Sequence, residues 1–337
     1  MAAHFINVGQ GSATLFEFSC GLVLIDAGGQ AEASTDWRRH FTSYLDQVFA
    51  RRPELHGKID VVYITHPHPD HTLGISDLIS NAGYQIGAVV TDAQDGQGTG
   101  PARQRSLIRY ANQHRIPQVQ IKTSLITGVR GLTSRNIDPL RCSGGDPDIR
   151  VLWGSFDQPH HWGTDEEKDA NNHSVAVRIA YGESSFFITG DMEEPAQRAL
   201  IERYAANRGV LNTDVYVAGH HGSKNGTIEG LVRAMSPEIA IASAGDPSKE
   251  EAGQYTAFHH GHPNKAAIAL LSNPTFGVTM RRPSVRVGVG VRGEAPRGRS
   301  PAEWEYQQID HAIFSTGWDG DIVVLANRNG TKRVIID

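Results

Sequence analysis

Residues 66–71 read His-Pro-His-Pro-Asp-His and constrain the chain more than any other segment. They follow an apolar, β-branched run at 61–65 that is typical of a buried strand. Imidazole and carboxylate groups are the ligands that suit Zn²⁺, and also Mn²⁺ or Fe²⁺. Pro67 and Pro69 restrict the loop, so the ligands are partly pre-organised. A histidine-rich surface turn is the alternative interpretation, but four metal-competent side chains in six positions favour a metal site.

The segment matches the H-x-H-x-D-H signature of the metallo-β-lactamase superfamily, and the chain resembles that family from Phe5 to about Ile336. The resemblance implies two divalent ions about 3.5 Å apart that share a bridging water. It implies His66 and His68 as ligands of the first ion, and Asp70 and His71 as ligands of the second. Zinc is expected first, with manganese and iron as alternatives.

Candidates exist for the remaining ligands. The apolar run 186–189 ends in Gly190-Asp191, and Asp191 matches the family's bridging aspartate. The run 215–218 leads into Gly219-His220-His221-Gly222, where neighbouring side chains point to opposite sides. One of the two histidines therefore binds metal and the other meets substrate; we favour His221 as the ligand, but the sequence does not decide. The family's third histidine for the first ion is assigned to His173, with His160 and His161 as competitors.

Further motifs resemble the soluble hydrolase domain of bacterial DNA-uptake competence proteins. They are V-G-Q-G-S at 8–12, I-D-A-G-G at 25–29, H-H-G-S-K at 220–224 and G-H-P at 261–263. The resemblance makes Asp26 a group that orients ligands and places His262 near the substrate. Asn7 and Ser12 depart from this branch, which usually has aspartate at both positions, so details of the substrate are not carried over.

The resemblance implies a four-layer α/β/β/α sandwich made by one domain over residues 1–337. Strands are predicted at 22–25, 61–65, 175–180, 185–189, 215–218, 239–242, 312–315, 322–326 and 333–336, and helices at 72–80, 195–207 and 264–271. Residues 93–170 are interpreted as an insertion or lid, in which 103–114 have helical character and 123–170 have little periodicity. Residues 281–300 are interpreted as a basic loop.

Charge gives a mixed indication of the substrate. The net charge of −5 disfavours a general nucleic-acid-binding surface. Arginines nevertheless cluster locally, and Arg281, Arg282 and Arg286 are candidates for binding phosphate. A solvated basic loop is the alternative for each of them.

Cys20 and Cys142 have no metal or redox spacing and are interpreted as buried thiols in a reducing compartment. The chain has no apolar run long enough to span a bilayer and no recognisable signal peptide. A cytoplasmic location away from membranes is therefore expected. The sequence gives no expectation for the oligomeric state.

The expected activity is hydrolysis by a water activated between the two ions, with a phosphodiester, including nucleic acid, as substrate. Asp70 and Asp191 would hold the ions, and His262 and the non-ligand histidine of the 220/221 pair would contact phosphate or protonate the leaving group. A second hypothesis is a small-molecule hydrolase acting on a cyclic nucleotide, phosphorylcholine diester, lactone or β-lactam. A non-catalytic, metal-stabilised binding module is the third.

Overall fold

The computed structural model describes residues 1–30, 36–94, 96–248, 256–291 and 303–336. Its strands are β1 (Ala2–Phe5), β2 (Thr14–Phe18), β3 (Gly21–Ile25), β4 (Lys58–Ile59), β5 (Val61–Ile64), β6 (Gln85–Ile86), β7 (Val89–Asp92), β8 (Gln118–Ile121), β9 (Asp148–Trp153), β10 (Ala176–Tyr181), β11 (Ser184–Ile188), β12 (Val215–Val217), β13 (Ile239–Ala242), β14 (Met280–Gly290), β15 (Trp304–His311), β16 (Ile313–Ser315), β17 (Ile322–Ala326) and β18 (Lys332–Ile336). Its α-helices are α1 (Asp36–Arg51), α2 (Pro69–Thr72), α3 (Ile75–Ser80), α4 (Thr99–His114), α5 (Thr164–Lys168), α6 (Glu194–Arg203), α7 (Glu229–Met235), α8 (Ala257–His260), α9 (Lys265–Leu271) and α10 (Thr316–Asp319).

Two mixed sheets form the centre of the molecule. The first has eight strands in the order β18-β17-β1-β2-β3-β5-β7-β8, and the second has six in the order β16-β13-β12-β11-β10-β9. Strands β3, β5 and β7 run parallel in the first sheet, and β11, β12 and β13 run parallel in the second. Two smaller ribbons, β4-β6 and β14-β15, stand outside these sheets.

Alternation along the strands explains why four layers form. In β3, Val23 and Ile25 pack into the core that also contains the second sheet, whereas Leu22 and Leu24 pack with α1, α3 and α4. Helices α6, α7 and α9 cover the second sheet. Both sheets are therefore apolar on two faces, and the predicted α/β/β/α sandwich is confirmed.

The strands and helices predicted around the motifs are present, with ends shifted by a few residues and the helix predicted at 72–80 divided into α2 and α3. Two predicted loop regions contain regular elements. In the segment 93–170, α4 includes the stretch 103–114 that was expected to have helical character, whereas the edge strands β8 and β9, which complete the two sheets, were not predicted. The predicted basic loop 281–300 begins as strand β14, and residues 292–300 lie outside the described part of the chain.

The prediction of two free thiols is wrong, since Cys20 and Cys142 form a disulfide. The two cysteines are 122 residues apart, and no spacing motif in the sequence indicates that they pair. Because disulfides persist in oxidising environments, the bond removes the thiol-based argument for a reducing compartment. Among the described helices, none is both long and apolar enough to cross a membrane.

Candidate metal centre

The candidate ligands follow the carboxyl ends of parallel strands in both sheets. Strand β5 leads into His66, β11 leads into Asp191, and β12 leads into His220 and His221. Since the two sheets face each other, these loops meet at one edge of the sandwich. Such edges are the usual position of binding sites in α/β folds.

Two glycine-containing segments hold the 66–71 turn in place. The backbone N–H groups of Ser12 and Gly29 donate to the carbonyl oxygen of Asp70, and that of Ala27 donates to His71. A methyl group at Gly28 would lie 1.7 Å from the Asp70 oxygen, so only glycine permits this approach. The two glycine motifs thus support the backbone of the metal-binding turn.

Four side chains form a compact group of ligand atoms, all within 4.8 Å of one another: Asp70, His71, Asp191 and His221. The Nε2 atom of His71 lies 3.1 Å from Asp191 Oδ1. The Nε2 atom of His221 lies 3.0 Å from Asp70 Oδ2 and 3.4 Å from Asp191 Oδ2. Two carboxylates and two imidazoles at these distances can surround one divalent ion.

Further histidines adjoin this group at Asp191 Oδ2, the oxygen that His221 also approaches. His66 Nε2 lies 3.8 Å from Asp191 Oδ2 and 3.0 Å from His68 Nδ1. His220 Nε2 lies 3.9 Å from the same Asp191 oxygen. Asp191 therefore faces imidazoles on both sides, as a carboxylate shared by two ions would.

Asp26 orients one of these imidazoles. It is fully buried, accepts the His71 Nδ1 proton at 2.7 Å, and is itself held by the backbone N–H and hydroxyl of Thr65. The carbonyl of Ser243 holds His221 Nδ1 in the same way, at 2.7 Å. Each contact leaves the Nε2 atom free to bind a metal.

The electrostatics of the cluster fit a cation. Burial alone would lower the pKa of His71, but the charges of Asp191 and Asp26 outweigh it and raise that pKa well above the usual range. Against the same burial, Asp191 and Asp70 raise the pKa of His221 to about 10. A buried site that binds protons this strongly carries a negative potential, so the residues present fit divalent metal ions.

His173 is not brought to the other ligands. Its Nε2 atom donates to the carbonyl of Glu167 at 2.9 Å, and its ring stacks on Phe156 with centroids 3.9 Å apart. The next residue, Ser174, faces the site instead and accepts a hydrogen bond from the Asp191 backbone. The competitor His160 stacks on Trp162, and His161 is exposed.

An open cleft of about 570 Å³ leads to the ligands. Its lining includes residues that the sequence analysis did not select: Gln10, Asp169, Asn171, Glu193 and His260. Gln10 belongs to the V-G-Q-G-S motif, which could have indicated it; the others lie next to motifs or candidate ligands without belonging to a motif. His262 is buried behind the cleft, where its Nδ1 atom lies 3.3 Å from Gln10 Nε2.

Burial and the neighbouring His220, His260 and His221 lower the pKa of His262 well below the usual range. Burial raises the pKa of Asp169, and the charge of Glu193 adds to this effect. The imidazole of His262, behind the cleft, is therefore neutral at pH 7. The cleft itself is lined by the acidic residues Asp169 and Glu193.

The three candidate phosphate-binding arginines have different surroundings. Arg281 is buried; it pairs with Asp319 at 2.7 Å and lies over the ring of Phe314. It therefore stabilises the fold and cannot reach a phosphate without breaking that pair. Arg282 and Arg286 are exposed on the β14-β15 ribbon, which joins the site region through the hydrogen bond from Gly290 N–H to the Pro263 carbonyl.

Comparison with known proteins agrees with this geometry. Residues 6–246 match the family described as the metallo-beta-lactamase superfamily. The chain belongs to this superfamily, whose members are mostly metal-dependent hydrolases.

Among individual proteins, the chain is 24% identical over 298 residues to ComE operon protein 3 of Bacillus subtilis, covering 84% of this chain and 33% of the relative. It is 35% identical over 77 residues to competence protein ComA of Neisseria gonorrhoeae, covering 23% of this chain and 11% of the relative. The chain thus matches a third or less of the length of either relative. The solved metallo-beta-lactamase fold protein YhfI of Bacillus subtilis aligns with 12% identity and a TM-score of 0.39, over 72% of this chain and 85% of that chain.

Proposed function

We propose that the chain is a phosphodiester hydrolase that uses two divalent metal ions. The observation that carries the proposal is the carboxylate of Asp191, which has His71 near one oxygen and His221, His66 and His220 near the other. A carboxylate with imidazoles near both oxygens can bind two ions at once, at the spacing of about 3.5–4 Å found in two-metal hydrolases. Zinc fits the donor atoms, and so do manganese and iron.

When bound, the ions supply an ionised water at neutral pH and neutralise the charge that develops on the phosphoryl oxygens. The protein's own groups orient the metal ligands and line the place of the substrate. Asp26 and Ser243 fix the imidazoles of His71 and His221, so the ligands need not reorganise during the reaction. His260 and Gln10 face the cleft, where the phosphate and its leaving group would lie.

The substrate class is supported by the exposed Arg282 and Arg286 and by the likeness to competence proteins. These arginines would bind a nucleic-acid backbone outside the cleft. A small phosphodiester is the second candidate, because Asp169 and Glu193 line the cleft and would repel a chain of phosphates. No membrane component is proposed, and the cytoplasmic location stays a prediction.

A substrate panel tests the proposal. We expect purified protein with Zn²⁺ or Mn²⁺ to cleave bis-p-nitrophenyl phosphate and at least one of single-stranded DNA, double-stranded DNA, RNA or a cyclic nucleotide. His68→Ala and Asp70→Ala should each abolish cleavage, by at least about a thousandfold, and reduce metal content while the chain still folds.

The matched control is Glu229→Ala, because Glu229 is an exposed residue of α7 whose partner is Arg233. It should retain full activity. Cleavage of a lactone or a β-lactam without cleavage of any phosphodiester would overturn the proposed substrate class. Full activity in both His68→Ala and Asp70→Ala would overturn the two-metal reaction.

A further inference from the structure

The residues that would hold the first ion do not include the histidine that the family resemblance assigns to it. His66, His68 and Asp191 offer three donor groups on that side of the shared carboxylate. His173 points elsewhere, with Nε2 bonded to Glu167 and its ring stacked on Phe156. His173 is the last residue of a 3-10 turn at 170–173, and the hydroxyl of the following Ser174, not the His173 ring, contacts the backbone of Asp191.

His220 is directed toward the centre like the other histidines. Four imidazoles direct Nε2 toward Asp191, at 3.1 Å for His71, 3.4 Å for His221, 3.8 Å for His66 and 3.9 Å for His220. The Nδ1 atom is hydrogen-bonded to Asp26 in His71, to Ser243 in His221 and to Thr65 in His66. In His220 this atom is buried without a hydrogen bond, and the Glu193 carboxylate lies at an ion-pair distance of 3.4 Å from it. An oxygen at one ring nitrogen, leaving the other for the metal, is the usual arrangement of metal-binding histidines.

Glu193 makes His220 suitable as a ligand. Its Oε1 atom lies 3.4 Å from His220 Nδ1 and also accepts a hydrogen bond from the Asn171 side chain at 3.1 Å. Asn171 therefore holds the Glu193 carboxylate in place beside the imidazole of His220. A carboxylate behind a histidine increases the electron density at the opposite nitrogen and strengthens its bond to a metal.

The backbone places both histidines of the 220/221 pair on the same centre. His220 and His221 have φ angles of 49° and 56°, so both lie in the left-handed region. Alternation along an extended strand, which would send one of them away, does not apply there. This explains how adjacent residues both approach Asp191 within 4 Å.

We propose that His220 takes the place of the missing histidine and completes the first metal site with His66, His68 and the shared Asp191. His221 then serves the second ion with Asp70, His71 and the same Asp191. His260, which lines the cleft, remains to contact the substrate. This assignment rests on the proposed two-metal function but is tested by metal content, independently of catalysis.

The experiment compares two matched variants, His220→Ala and His173→Ala. Each protein is loaded with Zn²⁺, dialysed against metal-free buffer and measured by inductively coupled plasma mass spectrometry, with Mn²⁺ binding followed by electron paramagnetic resonance. Wild-type protein and His173→Ala should each hold two ions per chain. His220→Ala should hold one, and its remaining ion should be lost in the double variant with His221→Ala.

Circular dichroism checks that each variant folds, and His220→Gln replaces His220→Ala if the latter does not. Two ions in the His220 variant, or one ion in His173→Ala, would overturn the assignment. So would a wild-type protein that binds fewer than two ions. The predicted ion counts without cleavage of any phosphodiester would leave this assignment standing and refute the proposed function instead.

Discussion

Asp26 shows how one buried carboxylate organises the centre. Its φ angle of 60° is unusual for a residue other than glycine, and it brings the side chain against Thr65 and His71. We expect Asp26→Asn to fold but to weaken metal binding by about 10- to 100-fold, because an amide is a poorer acceptor for the His71 proton.

Competition with a fluorescent zinc chelator measures that affinity. The control is Asp77→Asn on α3, where the carboxylate pairs with Arg38 away from the metal centre. Equal zinc affinities of Asp26→Asn and wild type would mean that His71 keeps its orientation without the Asp26 carboxylate.

Arg281 and Arg282 are adjacent but have opposite roles. Arg281 is 7% exposed, and its guanidinium donates to Asp319 and to the carbonyl of Ile313. Arg281→Ala leaves the Asp319 charge buried without its partner and should lower the free energy of unfolding by about 3–5 kcal/mol. Arg282→Ala, on the exposed side of β14, should change it by less than about 0.5 kcal/mol. Urea denaturation followed by tryptophan fluorescence tests both values, and equal stability of the two variants would contradict the buried ion pair.

At the scale of elements, prediction succeeded where burial dominates. The runs at Val61–Ile64 and Ile239–Ala242 are apolar throughout because both faces of their strands are covered. Helix α9 (Lys265–Leu271) lies within the predicted range 264–271, and the Asn264 side chain caps its first turn. Helix α1 was not predicted, although its buried residues Trp37, Phe41, Leu45 and Val48 have helical spacing and would have revealed it.

Other elements carry no comparable signal. The ribbon strand β14 contains Arg282-Pro283 and has an irregular register between Met280 and Val285, so its pattern is not that of a regular strand. His173 ends a short 3-10 turn before β10, so alternation along a strand does not set its orientation. Its orientation follows from that turn and from the contact between Ser174 and Asp191, which the sequence pattern does not indicate.

The β14-β15 ribbon gives a prediction about the substrate. If it binds a nucleic-acid backbone, Arg282→Ala with Arg286→Ala should raise KM for a cleaved nucleic acid several-fold and reduce the slope of binding against salt by about 1 for each phosphate that is no longer bound. Cleavage of bis-p-nitrophenyl phosphate should not change, because this substrate reaches only the cleft. Equal decreases on both substrates would show that the ribbon shapes the cleft. No decrease on either would favour a small phosphodiester as the substrate.

At the scale of the whole molecule, the centre exists only when both sheets are assembled. Asp26 and the 66–71 turn come from the first sheet, whereas Asp191, His220 and His221 come from the second. Their wide spread along the sequence is the reason for predicting a single domain, because one site needs residues from both halves. The disulfide also links the halves, since Cys20 lies in the β2-β3 turn and Cys142 precedes β9.

This disulfide should contribute strongly to stability, because it closes a loop between residues 122 positions apart. Closing so long a loop restricts the unfolded chain, and removal of the bond should cost about 2–5 kcal/mol. Thiol titration of the denatured, unreduced protein should find no free thiol. Dithiothreitol should lower the melting temperature of the wild type but not that of the Cys20→Ser, Cys142→Ser double variant, which should already melt at the lower temperature. Two free thiols in protein made under oxidising conditions, with no effect of the reductant, would instead restore the interpretation of both cysteines as buried thiols.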